Sequence, residues 1–129
     1  MKAFSYETRD VSQNGNKGVC FVLRGYIDAH TVIEFEKAVN DVMEGGVNRI
    51  ILEMSALSYV SSAGIGAMMA LARKLAQRGG DLVLLSPTPK VYTILDGLGF
   101  TKIFKIAENE TEALKKLNLE IPDKSPEQT

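Results

Sequence analysis

The fold is decided between Arg49 and Ala76, where the chain reads RIILEMSALSYVSSAGIGAMMALARKLA. The first six residues are nearly all apolar, which is typical of a β-strand that is covered on both faces. From Ile65 onwards apolar residues recur at spacings of three and four, which predicts a helix. We expect Ser55 to Ser61, between the two, to form a loop. The stretch therefore predicts a buried strand, a loop and a helix that packs on the strand.

The segments on either side repeat this alternation of strands and helices. A preceding helix over 32–43 is predicted by its apolar stripe and by Thr31-Val32-Ile33-Glu34, which has the form of a capping box. After the central helix we predict a strand over 81–85 and a helix that begins at Thr88-Pro89. The apolar face of that helix consists of Val91, Ile94, Leu95 and Leu98. A short strand over 102–106 and a last helix capped at Asn109 follow. Strands that alternate with helices in this way favour a mostly parallel sheet.

The N-terminal segment predicts a hairpin instead. Phe4 to Thr8 alternates like a half-buried strand, and an Asn-Gly turn within 13–18 leads to an apolar strand over Val19 to Leu23. The predicted fold is thus one α/β domain over 1–117, with a mostly parallel sheet, an N-terminal antiparallel hairpin and about four helices. The polar residues 118–129, with two prolines, are expected to form a flexible tail.

Composition narrows the possible functions. The 129 residues include 15 Lys and Arg against 16 Asp and Glu, a formal net charge of −1 that gives no electrostatic reason to expect direct nucleic-acid binding. No apolar run approaches the roughly 20 residues that span a bilayer, and the first residues lack the apolar stretch of a signal peptide. We therefore expect a soluble, cytoplasmic protein without membrane insertion.

The scarcity of cysteine and histidine argues against enzyme chemistry and metal binding. The chain has one cysteine, Cys20, in an apolar strand where a buried, inert thiol is expected, and one histidine, His30, expected on the surface at a helix start. Gly64-Ile65-Gly66 opens a helix but lacks both the third glycine of a dinucleotide-binding turn and the Gly-Lys-Ser/Thr of a P-loop. We predict no enzymatic activity, no cofactor and no metal; a nucleotide site at these glycines is an alternative that titration with ATP and GTP would test.

Two adjacent serines, Ser61 and Ser62, stand directly before the first turn of the central helix. A serine at this position is a good N-cap, which would account for one of them. The same position is suited to a phosphoserine, because the helix dipole and the free amides of the first turn stabilise negative charge. Both interpretations follow from the residues.

Three motifs together resemble the STAS-domain anti-sigma factor antagonists of bacteria. Leu52 to Gly66 is similar to the family signature of an apolar strand, an acidic residue, a short loop and Asp-Ser-Ser/Ala-Gly-Leu-Gly at a helix start. Gly25 to Thr31 is similar to the family's Gly-x-Leu-Asp before its first helix. The third match is the Gly-Gly turn and strand from Gly79 to Leu85, followed by a Pro-led helix and Leu98-Gly99-Phe100. The resemblance covers roughly residues 3 to 117.

The resemblance implies a regulatory switch. Such antagonists bind a GHKL-type serine kinase, which is the anti-sigma factor, when unphosphorylated; they are released when it phosphorylates them and are restored by a PP2C-type phosphatase. The phosphorylated serine of the family falls on Ser62, and its loop aspartate, which faces the kinase, falls on Asp28. The implied partner-binding residues are Asp28, Ser61, Ser62, Ala63, Gly64, Ile65 and Gly66.

One position departs from the family pattern. Ser61 stands where the family has an aspartate before the phosphorylated serine, whereas the acidic residue after the strand is kept as Glu53. A serine cannot supply the charge of that aspartate, and Ser61 is itself an alternative acceptor. The alternative function is a STAS scaffold that is not phosphorylated, or a regulatory subunit of a larger complex such as a transporter.

Overall fold

The computed structural model describes residues 3–120, which form a five-stranded sheet in the order β1-β2-β3-β4-β5. β1 is antiparallel to β2 and the other neighbouring strands are parallel, so the predicted fold class is confirmed. In chain order the elements are β1 (Phe4–Asp10), β2 (Gly18–Ile27), α1 (Val32–Glu44), β3 (Arg49–Val60), α2 (Ser62–Gln77), β4 (Asp81–Leu85), α3 (Pro89–Gly97), a 3-10 helix (Phe100–Lys102), β5 (Lys105–Ala107) and α4 (Glu110–Lys116).

Helices cover both faces of the sheet. In β3, Ile50 and Leu52 belong to the larger core, which α1, α2 and α3 complete, whereas Ile51 belongs to a second core that α4 completes on the opposite face. This alternation explains why the strand is nearly all apolar: each face of the sheet needs its own buried side chains.

The predicted N-terminal hairpin is confirmed. β1 pairs with β2 over its whole length, and Asn14 and Gly15 adopt positive φ angles of 56° and 80° in the turn. Gln13 and Asn16 exchange backbone hydrogen bonds of 3.0 and 2.9 Å across it. The Asn-Gly pair supplies the left-handed conformations that such a turn requires.

The predicted loop over Ser55 to Ser61 is wrong, because β3 continues to Val60 beside a β2 that continues to Ile27. Two register shifts allow the longer pairing. At the first shift the Glu53 carboxylate accepts the backbone N–H of Ser55 at 2.7 Å, and near the second the Ser58 hydroxyl donates to the carbonyl of Gly25 at 2.8 Å. Side chains thus satisfy backbone groups at the bulges, and β2 and β3 extend beyond β4.

The C-terminal part of the domain differs from the predictions in the bounds of its last strand and at the end of α3. The short strand was predicted over 102–106, but a 3-10 helix occupies Phe100–Lys102 and β5 begins at Lys105. Leu98, predicted on the apolar face of α3, is exposed because it lies at the C-cap, where the helix has ended. Of the predicted tail, Leu119 is buried in the second core, and residues 121–129 lie outside the described residues.

Candidate functional site

The site is built where β2 and β3 end side by side. Ile27 pairs with Val60 in the last step of the parallel ladder, and the backbone N–H of Ser61 donates to the carbonyl oxygen of Ile27 at 2.8 Å. The carboxyl ends of parallel strands meet at one edge of a sheet, which is where α/β folds place their binding sites. The loop that starts at Asp28 and the start of α2 therefore share one surface.

Asp28 organises the turn that leads into α1. Its Oδ1 accepts the backbone N–H groups of His30 at 2.9 Å and of Thr31 at 3.0 Å. These hydrogen bonds lower the pKa of the Asp28 carboxyl because they stabilise its charged form. The bond from the Thr31 N–H makes the larger contribution. Asp28 is thus held as a carboxylate in a fixed position at the edge of the sheet.

The predicted capping box at Thr31 is wrong. Thr31 has an αR backbone (φ −77°, ψ −18°) and its side chain accepts no capping hydrogen bond from α1. The hydroxyl instead accepts the backbone N–H of Asp28 at 2.8 Å and donates to the carbonyl of Tyr26 at 2.9 Å. An N-cap side chain reaches the first turn from an extended backbone, so the αR conformation explains the difference.

At the start of α2 the two serines have different environments. Ser61 is the N-cap: its backbone is extended (φ −88°, ψ 174°) and its Oγ accepts the backbone N–H of Gly64 at 3.3 Å. The capping interpretation of the serine pair is therefore confirmed for Ser61. Ser62 is the first helical residue, is exposed, and its hydroxyl forms no hydrogen bond with any residue between 3 and 120. Of the two serines, Ser62 thus has the more exposed hydroxyl, whereas that of Ser61 takes part in the cap.

The two glycines of the first turn also differ. A Cβ placed on Gly64 would lie 2.6 Å from Cγ2 of Val60 and 2.9 Å from Cγ2 of Ile27, both of which are buried. A Cβ on Gly66 would meet nothing within 4 Å. Gly64 therefore permits α2 to pack closely on the ends of β2 and β3, whereas Gly66 leaves an open patch of surface.

The structure brings five of the seven predicted partner-binding residues to one surface. Ser62, Ala63 and Gly66 are exposed, and Asp28 and Ser61 are partly exposed. We call these five residues together the Ser62 surface. The other two, Gly64 and Ile65, are buried beneath it, with Ile65 only 2% exposed.

Two aromatic residues beside the Ser62 surface were missed by sequence reasoning. Tyr26 and Tyr59 are partners on adjacent strands, and both rings are more than a third exposed. The ammonium group of Lys90 lies 5.7 Å from the centre of the Tyr59 ring. The tyrosines are visible in the sequence, but their pairing requires the strand extension that was predicted to be a loop.

The remaining candidate residues lie away from this surface or are accounted for. Cys20 is fully buried, as predicted, and burial raises the pKa of its thiol to about 11. His30 is exposed at the turn before α1, also as predicted. Between residues 3 and 120 no cluster of three or more His, Cys, Asp or Glu side chains could hold a metal ion. In the same part of the chain, every helix is too short or too polar to cross a bilayer.

These observations define a small α/β domain that displays an exposed seryl hydroxyl at the start of a helix, on the edge of the sheet that also carries the Asp28 carboxylate. The family model described as the STAS domain matches residues 8–113, so this chain belongs to the STAS domain family. The expectation from the sequence motifs is thereby confirmed at the level of the family.

Similar proteins include antagonists of anti-sigma factors. The anti-sigma F factor antagonist of Paenibacillus polymyxa is 27% identical over 111 residues, which span 84% of this chain and 95% of that protein. A structure of the anti-sigma factor antagonist SpoIIAA in its unphosphorylated form superposes with a TM-score of 0.70 at 26% identity, covering 87% of this chain and 95% of that one. The phosphorylated form of Bacillus SpoIIAA gives a TM-score of 0.64 at 25% identity, covering 87% and 98%.

Proposed function

We propose that this protein is an anti-sigma factor antagonist whose binding to its partner is controlled by phosphorylation of Ser62. The observation that carries the proposal is the exposed Ser62 hydroxyl, which is unbonded within residues 3–120 and stands at the first position of α2, on the same surface as Asp28. The relative from Paenibacillus polymyxa is named for this activity, and SpoIIAA exists in unphosphorylated and phosphorylated forms.

The proposed modification suits the fold. A phosphate on Ser62 adds up to about two negative charges at the N-terminus of a sixteen-residue helix, where the dipole and the free amides of the first turn stabilise them. The modified domain therefore stays folded. What changes is the Ser62 surface, since a bulky dianion would stand beside the small residues Ala63 and Gly66, which otherwise allow a partner to approach closely.

The proposed partner is a GHKL-type serine kinase that acts as the anti-sigma factor, with a PP2C-type phosphatase to reverse the modification. In this scheme the protein is a regulatory substrate in the cytoplasm and catalyses no reaction itself. Asp28 would form a second contact with the kinase. The hydrogen bonds that its carboxylate accepts from the N–H groups of His30 and Thr31 already hold it in place, so that binding requires no movement of this side chain.

Between the two serines, the environment favours Ser62 as the acceptor. The Ser61 hydroxyl accepts a hydrogen bond from the first turn of α2, and phosphorylation there would disturb the cap. Ser61 also offers a control. Aspartate caps helices as well as serine does, so Ser61→Asp adds a negative charge one residue away and keeps the fold.

The test uses four forms of the full chain as baits in a native extract: wild type, Ser62→Ala, Ser62→Asp and Ser61→Asp. We expect the wild type, Ser62→Ala and Ser61→Asp to retain a protein that phosphorylates the wild-type chain from ATP but does not phosphorylate Ser62→Ala. Ser62→Asp should not retain it. Retention of the same protein by all four baits, with no phosphorylation of the wild type, would instead identify the module as a scaffold that does not switch.

A further inference from the structure

β1 is an edge strand whose outer side contacts no other strand between residues 3 and 120. The backbone bonds Val11 N–H to Gly18 carbonyl and Tyr26 N–H to Ala3 carbonyl set the ladder with β2. In that antiparallel register the odd-numbered residues bond to β2, so the even-numbered residues direct their N–H and C=O groups outwards. The outward-directed residues along this edge are Phe4, Tyr6, Thr8 and Asp10.

Two of the usual devices that block an edge, a proline and a β-bulge, are absent from this strand. β1 is seven residues long, contains no proline, and keeps one unbroken register with β2. A long, regular edge with unpaired backbone groups is a template for pairing with another strand. Three of its residues are charged: Glu7 and Arg9 lie two positions apart and point to the same face of the sheet, whereas Asp10 points to the other face.

We propose that two copies of this chain associate through β1, antiparallel, with Thr8 opposite the Thr8 of the second copy. In this register Glu7 lies opposite the second copy's Arg9, and the twofold symmetry repeats that pair. Directly opposite charges on neighbouring strands stabilise pairing, and like charges oppose it. Moving the centre by one residue would place Glu7 against Glu7, or Arg9 against Arg9, so the charges select the register centred on Thr8.

The charges already bonded within one copy are compatible with this pairing. Arg9 forms an ion pair with Glu110, and Glu7 forms one with Arg24 at 3.3 Å. Side chains of Glu7 and Arg9 remain 70% and 49% exposed, so both have room for another partner. Across the proposed interface the charges alternate in the order Arg24, Glu7, Arg9 and Glu110, with the last two from the second copy.

Pairing of this kind would leave the Ser62 surface accessible. The two-fold axis reverses the direction of the parallel strands between copies, so the two Ser62 surfaces lie at opposite ends of a continuous ten-stranded sheet. The association therefore does not depend on the proposed function, and its test does not require a partner kinase.

Sedimentation velocity of the purified full chain over a range of concentrations tests the association. We expect the wild type to move from monomer to dimer as the concentration rises. Arg9→Glu should raise the dissociation constant about tenfold or more, because two attractive pairs become repulsive. The double variant Glu7→Arg with Arg9→Glu restores opposite charges across the interface and should recover part of the lost affinity, since each new charge also lies near a like charge of its own copy, Arg24 or Glu110. A general loss of stability would not be reversed in this way.

Cross-linking tests the register. Residues opposite each other in a hydrogen-bonded antiparallel pair have Cα atoms about 5.5 Å apart, within the range of a disulfide. Thr8→Cys should therefore form a covalent dimer on mild oxidation, while the native Cys20 is buried and does not compete. Ser5→Cys, six positions or about 20 Å from its counterpart, is the matched control. A wild type that stays monomeric up to millimolar concentration, or a dimer that ignores the charge changes and forms no Thr8→Cys cross-link, would overturn the proposal.

Discussion

The backbone N–H of Ser61, one residue beyond the last residue of β3, donates to the carbonyl oxygen of Ile27, the last residue of β2, at 2.8 Å. This bond ties the Asp28 turn to the start of α2. Asp28 and Ser62 are therefore the residues that directly follow the two partners of this bond, at one edge of the sheet. The stability of the domain and the proposed binding of a partner can be measured separately.

The packing of α2 on the strand ends depends on Gly64. Gly64→Ala should lower the free energy of unfolding by about 1–3 kcal/mol, because the new methyl group overlaps the buried side chains of Val60 and Ile27. Gly66→Ala is the matched control and should raise stability by about 0.5–1 kcal/mol, the usual gain at an open helical position. Urea unfolding of both variants measures this, and equal stabilities would contradict the packing role of Gly64.

The Asp28 turn should make stability depend on pH. Hydrogen bonds lower the pKa of Asp28 in the folded state, so between the folded and unfolded pKa values the unfolded chain binds more protons. The contribution of Asp28 is then fully present above about pH 5 and is lost as the pH falls through the folded pKa. Asp28→Asn should be less stable than the wild type at pH 7, and the difference should shrink towards pH 3; a constant difference would show that the charge of Asp28 has no part in it.

The bulge in β3 should depend on the side chain of Glu53. Its carboxylate accepts the backbone N–H of Ser55 at 2.7 Å. The register shift leaves Ser55 without a partner residue in the ladder between β2 and β3. Glu53→Ala should therefore cost about 1 kcal/mol, the net value of a typical hydrogen bond, whereas Glu53→Gln keeps an acceptor and should cost less. Thermal or urea unfolding distinguishes the two, and a loss in Glu53→Gln as large as in Glu53→Ala would contradict this role.

The thiol of Cys20 should be unreactive in the folded protein. Burial raises its pKa to about 11 and closes access to reagents. At pH 8 we expect no reaction with a disulfide reagent such as DTNB over minutes, and complete reaction once urea has unfolded the chain. Rapid labelling of the folded protein would show that β2 opens around Cys20.

Elements set by local signals were predictable from the sequence. The strands 49–54 and 81–85 are apolar runs, and the caps of α2, α3 and α4 at Ser61, Thr88 and Asn109 each accept a hydrogen bond from the first turn of their helix. In these cases the residue type, its neighbours and the element it starts are close together in the chain.

Features that depend on a distant partner were not predictable in the same way. The half of β3 that was expected to be a loop is a strand because β2 extends beside it and because Glu53 and Ser58 satisfy the bulges. Thr31 has the sequence of a cap, but its hydroxyl is used by Asp28 and Tyr26 instead. The candidate site was therefore predicted from its serines, whereas the Tyr26 and Tyr59 pair near it was found only in three dimensions.

In the proposed function, the charge at position 62 controls partner binding. The most direct measurement is the dissociation constant of the captured kinase for wild type, Ser62→Ala, Ser61→Asp and Ser62→Asp. We predict that the first three agree within about threefold and that Ser62→Asp binds at least about a hundredfold more weakly, a loss of about 2.7 kcal/mol. Equal affinities for Ser62→Asp and Ser61→Asp would contradict control by the charge at this position.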